Sequence, residues 1–504
     1  MTEAETNRAH KIGKTVKTVK EQIPVEVREV LQKLEEAGFL AYAVGGAVRD
    51  TMIGRQPKDW DVATSAKPEE IQKLFTDSVY ENDFGTVGVK TRSDDKTVAV
   101  IEVTTFRKEG EYSDFRHPDN VEFAKAVEED LARRDFTVNA MAMDIRGDVI
   151  DPFGGKDDIG KKIVRAVGDP GKRFSEDALR LVRAVRFAAE LGFDIEGDTM
   201  KEIGEKSSLL KEIASERIRD ELVKIVMSDG SGPAWGITAL ESLGLLEHII
   251  PELMEGIRVG QNKHHIYTVW EHNLRALDYS AKEGAPFEIR MASLLHDVGK
   301  PRSKAGDGPD STFHNHEMIG ARMTAKIMDR LHFPKKTAER VVHLVRHHLF
   351  YYNVGEVTEA GVRRFIRRVG EENIDDLLKI READRIGSGV PKAVPYKTRH
   401  LRFMIDKVRR DTVAPKMLAL NGGELMSELD LSPGPRVGKI LAALLEEVLD
   451  DPAKNDKEKL IASAKKFNSM SDDELDSIAK KARERKEEFE AGEEAEMKKR
   501  HKVG

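Results

Sequence analysis

A Gly-Gly pair between an apolar strand and a helix is the feature that most constrains the fold of this sequence. Residues 40–44 (LAYAV) predict a short strand, Gly45 and Gly46 a turn, and Ala47 the beginning of a helix. Glycines at such a turn let backbone amides approach a phosphate group at the start of the helix. We therefore predict that Gly45 and Gly46 bind a triphosphate.

Two aspartates follow in the segment KDWDVAT (58–64). Side chains alternate along a strand, so Asp59 and Asp61 are predicted to point to one face, roughly 7 Å apart. Two divalent ions held by such a pair can activate an attacking hydroxyl and stabilise a leaving pyrophosphate. Mg²⁺ suits this role because it accepts carboxylate and phosphate oxygens together. Taken alone, however, a D-x-D is more often a solvated pair at a strand end.

The order of the motifs is more specific than any one of them. A Gly-Gly turn, then Arg49-Asp50, then Asp59 and Asp61 resembles the DNA polymerase β-like nucleotidyltransferases. From about residue 24 to residue 250 the chain also resembles the class II tRNA nucleotidyltransferase and poly(A) polymerase family. The segments that carry this second resemblance occur in family order: EVTTFRKEGEYSDFRHP (102–118), EEDLARRDFTVNAMAMD (128–144), DPFGG (151–155) and RFSEDALRLVRAVRFAAELGF (173–193).

The resemblance implies roles for the residues that match these motifs. Asp59 and Asp61 match the metal-binding carboxylates. Nucleotide-binding positions are implied for the glycine turn and for the matching arginines. These residues are Gly45, Gly46, Arg49, Arg134, Arg183 and Arg186, the last two for phosphate or tRNA.

In the helix motif EDALRLVRAVR, Asp177 and Arg180 match the positions that read the incoming base in this family. Three residues apart, they are predicted to be neighbours on a helix face. The carboxylate offers acceptors and the guanidinium a fork of donors, which together can satisfy the Watson–Crick edge of C or A. The alternative is an ordinary surface ion pair, worth a few tenths of a kcal/mol.

A second group of residues lies further along the chain. The order His272, His296-Asp297, His316, His348, Asp384 resembles the HD superfamily of metal-dependent phosphohydrolases. Imidazole and carboxylate ligands suit several divalent metals, and such a metal would activate a bound water. We predict a divalent metal of unspecified identity at these six residues. Hydrolytic activity of this domain is left open.

One residue and two segments are left without a settled role. Glu102 is either a third carboxylate of the metal site or a residue that faces solvent. Residues 108–120 resemble a flexible loop near the active site that is associated with the switch from C to A. Residues 391–450 contain Arg-rich helical stretches that either touch tRNA or form a solvated face.

The composition excludes several classes of protein. With no cysteine, the chain has no disulfide, cysteine nucleophile or thiolate metal site. It has no apolar run long enough for a transmembrane helix and no apolar signal-peptide segment, so we expect a cytoplasmic protein with no membrane partner. The net charge of -7 counts only mildly against RNA binding, because local patches govern phosphate contact.

We predict an α+β fold, in which a polymerase β-like α/β head precedes an all-α neck and body and a helical HD domain. The strand-like pieces after residue 44 are 59–63, 85–91, 97–105 and 138–144, and the pattern is helical from about residue 155. The predicted divisions are a polar lead (1–22), the nucleotidyltransferase head (23–160), a helical neck (161–261), the HD domain (262–390), a helical C-terminal region (391–455) and a charged tail (456–504).

Together these observations predict an enzyme that adds C, C and A to the 3′ end of tRNA from CTP and ATP. The alternatives within the class are a CC-adding enzyme, an A-adding enzyme and a poly(A) polymerase. An alternative from another class is an HD phosphohydrolase whose head only binds RNA, and a third is a non-catalytic RNA-binding protein. The intact Asp59 and Asp61 argue against the phosphohydrolase, and the two complete sets of metal ligands argue against the non-catalytic protein. The oligomeric state is left open.

Overall fold

The structure is a computed structural model that describes residues 22–82, 85–110, 121–230, 232–262, 266–390, 392–411 and 418–503. The predicted lead and most of the 108–120 loop therefore lie outside the described residues. The chain divides into two compact units. The first is Met1–Arg346 with Gly387–Gly389, and the second is His347–Ile386 with Val390–Gly504.

The strands lie in the first unit. In chain order they are β1 (Ala41–Val44), β2 (Asp61–Thr64), β3 (Ser78–Asn82), β4 (Thr86–Lys90), β5 (Val100–Thr105), β6 (Arg107–Glu109), β7 (Val121–Phe123), β8 (Ala142–Met143), β9 (Val149–Ile150), β10 (Ile163–Val164), β11 (Asp194–Ile195), β12 (Lys304–Ala305) and β13 (Thr312–Phe313). Seven of them form one sheet in the order β3-β4-β5-β2-β1-β8-β9. Within this sheet β2 and β5 pair parallel, and the other neighbours pair antiparallel.

The sheet is buried on both faces because its central strands are apolar at successive positions. Val62 packs into a core on one face, together with Leu31 and Leu34 of the first helix. Ala63, the next residue of β2, packs into a second core on the opposite face with Phe106 and Leu131. With both sides of the sheet covered, the loops at the strand ends remain to carry polar side chains.

The helices of the first unit are α1 (Val25–Glu36), α2 (Gly46–Met52), α3 (Pro68–Leu74), α4 (Val127–Ala132), α5 (Gly155–Lys161), α6 (Pro170–Glu176), α7 (Leu179–Leu191), α8 (Gly197–Lys206), α9 (Ser215–Val226), α10 (Gly232–Ser242), α11 (Leu246–Ile249), α12 (Pro251–Met254), α13 (Val269–Lys282), α14 (Phe287–Leu295), α15 (Lys300–Ser303), α16 (His316–Arg330) and α17 (Lys335–His347, which ends at the unit boundary). Short 3₁₀ turns occur at Thr137–Asn139, Ser207–Glu212 and Gly308–Asp310.

The regular secondary structure described in the second unit is helical. It contains α18 (Glu359–Val369), α19 (Ile374–Gly387), α20 (Tyr396–Asp411), α21 (Gly422–Leu429), α22 (Pro435–Asp450), α23 (Lys457–Asn468) and α24 (Asp472–His501), with 3₁₀ turns at Glu371–Asn373 and Pro452–Lys454. Leu425, Leu444 and Leu460 lie in its core. No helix in the described ranges is both long enough and apolar enough to cross a membrane.

The predicted α+β class, with a mixed head followed by helices, is confirmed. Two local predictions are wrong. Residues 138–144 do not form one strand, because a 3₁₀ turn at Thr137–Asn139 precedes the two-residue strand β8. The predicted strand 59–63 begins only at Asp61, so Asp59 lies in the preceding loop.

Candidate active site and metal-ligand cluster

Gly45 lies at the junction of β1 and α2 with a φ of 74°. A Cβ atom at this position would lie 2.8 Å from Nη1 of Arg134 and 3.9 Å from Oδ2 of Asp61. The positive φ disfavours any side chain there, and a Cβ atom would also force Arg134 to move. The Gly-Gly turn therefore brings the start of α2 next to a guanidinium and a carboxylate.

Asp59 and Asp61 flank Trp60, whose side chain is 2% exposed and packs into the core on one face of the sheet. Both carboxylates line the same cavity. The burial of Trp60 gives the physical reason, because the residues on either side of an inward-pointing side chain point outward. Asp59 and Asp61 therefore point to the same side, as predicted, although Asp59 is not part of the strand.

The carboxylates crowd one another. Asp61 is paired in register with Glu102 of β5, the neighbouring parallel strand. Burial and the negative charges of Asp59 and Glu102 raise the pKa of Asp61 to about 6, against the opposing effect of Arg134. A cation between these carboxylates would relieve the repulsion, so the donor set fits a divalent metal. Glu102 itself is exposed and is not among the residues that line the cavity.

The cavity that both carboxylates line, which we call the larger cavity, has a volume of about 590 Å³. Most of the residues predicted from the motifs line it. Of these, Gly45, Gly46, Arg49, Asp59, Asp61, Arg134, Arg183 and Arg186 line it. Arg49 is held by Asn139, whose Oδ1 accepts a hydrogen bond of 2.6 Å from Nη1, and by Asp50. The arrangement offers glycine amides, guanidinium groups and carboxylates around a space large enough for a small molecule.

Asp135 fixes one of these arginines. Its Oδ2 accepts hydrogen bonds from Nε and Nη2 of Arg183, at 2.9 and 2.6 Å. Burial alone would raise the pKa of Asp135, but the charge and hydrogen bonds of Arg183 hold it well below its usual range. Arg186 lies 3.6 Å from the centroid of the Phe187 ring and pairs with Glu221 at 2.6 Å. These arginines are therefore preorganised before any ligand binds.

Asp177 and Arg180 line a smaller cavity of about 260 Å³. Its lining shares three residues with the larger cavity, namely Arg134, Asp135 and Arg183. The prediction that Asp177 lies on a helix face is wrong, because the chain is extended at this residue between α6 and α7. Its side chain accepts the backbone N–H of Leu179, which is the geometry of a residue that caps a helix start.

Arg217 of α9 holds the carboxylate of Asp177, with Nη2 3.0 Å from Oδ2. Arg180 makes separate contacts, donating from Nη1 to Glu176 at 2.6 Å and to the carbonyl of Arg173 at 2.9 Å. Because the carboxylate of Asp177 and the guanidinium of Arg180 each have other partners, the two residues do not form the surface ion pair that was the alternative prediction. Both remain partly open to the smaller cavity.

His272, His296 and Asp297 form a compact cluster in the first unit, with one ligand atom from each within 4.8 Å of the others. The two Nε2 atoms are 2.8 Å apart, and Oδ2 of Asp297 lies 3.0 Å from His272 and 3.3 Å from His296. Nε2 of His316 lies 3.3 Å from the other oxygen of Asp297. All four side chains are buried.

The histidines of this cluster are oriented by the backbone. Nδ1 of His296 lies 2.8 Å from the carbonyl of Ser293, and Nδ1 of His316 lies 2.7 Å from the carbonyl of Phe313. Since a carbonyl can only accept, each Nδ1 donates its proton to the backbone, and the Nε2 atom of each ring faces Asp297. A backbone partner of this kind is typical of metal-binding histidines.

The carboxylate at the centre of the cluster is ionised. Burial opposes the charge of Asp297, but Lys300, His296 and His272 hold its pKa well below its usual range. Nζ of Lys300 lies 2.5 Å from Oδ2. The other two predicted ligands lie in the second unit: His348 follows α17 and Asp384 lies in α19. Their role as ligands stays a prediction.

Sequence reasoning missed several residues of the larger and smaller cavities. Asp135 and Asn139 lie inside the quoted motif RRDFTVN, so their position beside Arg134 was a usable signal. Arg217 lies in SERIRDEL, which reads as an ordinary amphipathic helix and gave no such signal. Other lining residues outside the prediction are Arg55, Gln56, Lys58, Phe187, Glu190, Lys224 and Asp229.

Three family models match the chain. They are the poly A polymerase head domain over residues 41–165, the probable RNA and SrmB-binding site of polymerase A over 192–257, and the HD domain over 264–388. The sheet, the glycine turn and the carboxylate pair fall within the first of these. Fold and site together define a nucleotidyltransferase of the polymerase A type followed by an HD domain.

Similar proteins show to which family of nucleotidyltransferases the chain belongs. The chain is 33% identical over 445 residues to a CCA-adding enzyme of Leuconostoc mesenteroides, covering 88% of this chain and 96% of the relative. It is 34% identical over 451 residues to one of Ligilactobacillus salivarius, covering 89% and 98%. The solved CCA-adding enzyme of Bacillus stearothermophilus in complex with CTP is 29% identical, with a TM-score of 0.56 over 88% of this chain and 97% of that one. The chain belongs to the family of CCA-adding enzymes.

Proposed function

We propose that this chain adds C, C and A to the 3′ end of tRNA, using CTP and ATP and no nucleic-acid template. The observation that carries the proposal is that the two cavities are neighbours, because Arg134, Asp135 and Arg183 line both of them. A nucleotide can thus place its phosphates beside the carboxylate pair and its base in the smaller cavity. The CCA-adding relatives support the same reaction.

In this proposal the larger cavity binds the triphosphate. Backbone amides at the start of α2 and the guanidinium groups of Arg49 and Arg134 bind phosphate oxygens. Asp59 and Asp61 would hold divalent ions, with Mg²⁺ as the proposed identity, and such ions would supply activation of the 3′-hydroxyl and stabilisation of pyrophosphate. The tRNA 3′-hydroxyl loses its proton to solvent and its oxygen bonds to the α-phosphorus. The bond from that phosphorus to the bridging oxygen breaks, and pyrophosphate leaves.

The smaller cavity selects the base. C and A both present an exocyclic amino donor beside a ring nitrogen acceptor on their Watson–Crick edges. Asp177 accepts from the amino group and Arg180 donates to the ring nitrogen, whereas U and G present a carbonyl where the amino donor is needed. A good pair of such contacts discriminates by roughly 1–3 kcal/mol. Protein side chains thereby take the place of a template base.

The other candidates are less well supported. CC-adding, A-adding and poly(A)-synthesising activities use the same catalytic groups, but the relatives that span nearly the whole chain are CCA-adding enzymes. A chain that is chiefly a phosphohydrolase would not need a crowded pair of carboxylates beside a glycine turn. The cytoplasmic location expected from the sequence stays a prediction.

For the HD domain we propose that His272, His296, Asp297 and His316 bind a divalent metal ion. The support is the crowding of three imidazole Nε2 atoms around one ionised, buried carboxylate. His348 and Asp384 are further ligands predicted from the order of the sequence alone. When bound, the metal would supply an activated water for phosphoester hydrolysis.

Two double variants separate these sites. D59A/D61A should abolish incorporation of labelled CTP and ATP into tRNA that lacks CCA, while leaving the metal content of the protein's HD cluster unchanged. H296N/D297N should lose the metal, measured by elemental analysis, and keep nucleotide addition. Asp94→Ala removes an exposed carboxylate of the same head and serves as the control. Undiminished addition by D59A/D61A would refute the proposed function.

A further inference from the structure

The second unit contains a cavity that none of the proposed chemistry uses. Its volume is about 570 Å³, and it is lined by the segment before α18, by α18 itself and by one residue of α20. The lining is mostly apolar and aromatic, with two arginines: Leu349, Phe350, Tyr351, Tyr352, Val357, Gly361, Val362, Arg364, Phe365, Arg368 and Leu401. We call it the aromatic–arginine cavity.

Aromatic rings are held in place around this cavity. The rings of Phe350 and Phe365 lie 4.8 Å apart at an angle of 47°. Tyr351 is 70% exposed, yet its hydroxyl donates to Glu356 and accepts from Asn353 at 2.8 Å. An exposed ring fixed in this way loses little conformational entropy when a flat ligand stacks on it.

Positive charge accompanies the rings. Helix α18 has the sequence EAGVRRFIRRV, and of its four arginines Arg363 pairs with Glu359 at 3.4 Å. Within the described ranges, Arg364, Arg367 and Arg368 are exposed and have no carboxylate within 4 Å. Positions 364 and 368 are one helical turn apart, about 6 Å along the axis. Their charge is thus available to more than one anionic group.

From this juxtaposition we propose that the aromatic–arginine cavity binds unpaired nucleotides of an RNA. Aromatic faces stack on bases of any identity, and arginines contact the phosphates between them. A run of three available arginines suits a chain of phosphates better than one free nucleotide. The choice of RNA over DNA rests on the proposed function, whose substrate is RNA.

The test measures binding of the full chain to a fluorescein-labelled single-stranded twelve-residue oligoadenylate, without CTP or ATP. Replacing both cavity arginines (R364A/R368A) should weaken binding by about tenfold and reduce the slope of log K against log salt by about 1.4. Replacing Tyr351 (Y351A) should weaken binding roughly five- to 150-fold with the salt slope unchanged. Since these side chains are exposed, the melting temperature should not move.

The control is K465A/K466A, which removes two exposed lysines from α23, a helix that does not line the cavity. It should bind oligoadenylate like the unaltered protein. Equal weakening by the control, no effect of Y351A, or competition by polyglutamate as strong as by oligoadenylate would each overturn the proposal. The last result would instead indicate an acidic protein partner. Because no nucleotide is added in this assay, failure here leaves the proposed transferase activity untouched.

Discussion

The charge of Asp61 depends on the groups that lie beside it. Burial and the charges of Asp59 and Glu102 raise its pKa from 3.8 to about 6. Below pH 3.8 both the folded and the unfolded chain hold the proton. Between pH 4 and pH 6 only the folded chain holds it, so this carboxyl lowers stability as the pH rises, and the whole penalty is present above pH 6.

We therefore predict that Asp61→Asn stabilises the metal-free protein at neutral pH. In EDTA at pH 8 the free energy of unfolding should rise by on the order of 2 kcal/mol, whereas at pH 3.8 or below it should be unchanged. Denaturation followed at both pH values measures this difference. A gain of the same size at both pH values would show that the charge of Asp61 is not its cause.

Arg217 is predicted to position the base-reading carboxylate. Arg217→Met should leave Asp177 without its 3.0 Å partner and raise the KM for CTP and ATP by roughly five- to 150-fold. Misincorporation of UTP and GTP should increase, a readout that a general loss of stability would not move. The control is Arg219→Met on the same helix, whose residue does not line either cavity. Unchanged base selectivity in the Arg217 variant would contradict this role.

At the scale of elements, the 3₁₀ turn Thr137–Asn139 connects packing to the site. It presents Asn139 to Arg49, and the start of α5 packs against it. A Cβ atom at Gly155 would clash with the carbonyl oxygen of Thr137 and lie 3.0 Å from Met141. We therefore expect nucleotide binding to depend on Gly155, which lies outside both cavities.

Gly155→Ala should destabilise the first unit by about 1–3 kcal/mol and weaken nucleotide binding. Gly160→Ala, in the same helix, meets nothing within 4 Å and should be neutral or stabilising by up to about 1 kcal/mol. Thermal unfolding and the KM for CTP compare the two variants. A neutral Gly155→Ala would mean that the turn is free to move away.

The elements also show how far the sequence could predict this structure. Helix α1 and strand β1 were predictable because their periodicity and glycine stops are local signals. The interruption of the helix at Asp177 was not predictable. Its partner Arg217 lies on a helix that is 40 residues away in the sequence but 3.0 Å away in space. The two-residue strands β8 and β9 are too short to carry a pattern. For the site, the motifs predicted eight residues that line the larger cavity, whereas Arg217 could be found only from the fold.

At the scale of the whole molecule, the first unit contains two groups of candidate metal ligands, one around Asp61 and one around Asp297. The electrostatic surroundings of the two carboxylates differ. Around Asp61 carboxylates repel one another, which suits ions that arrive with a nucleotide. Around Asp297 the imidazoles and Lys300 stabilise the ionised carboxylate and hold its pKa well below its usual range. We expect mutations around Asp61 to affect nucleotide addition alone, and mutations around Asp297 to affect metal binding by the HD domain alone. The second unit adds an arginine-bearing helix whose charge is not balanced locally.

The proposed function requires that one protein performs all three additions. The most direct measurement incubates it with Mg²⁺ and tRNA transcripts that end before CCA, after C and after CC, each with CTP, ATP or both, and resolves the products to single nucleotides. We predict stepwise addition of C, C and A with both nucleotides, followed by arrest. Arrest after CC, addition of A alone to the CC-ended transcript, or no addition to any transcript would contradict the account.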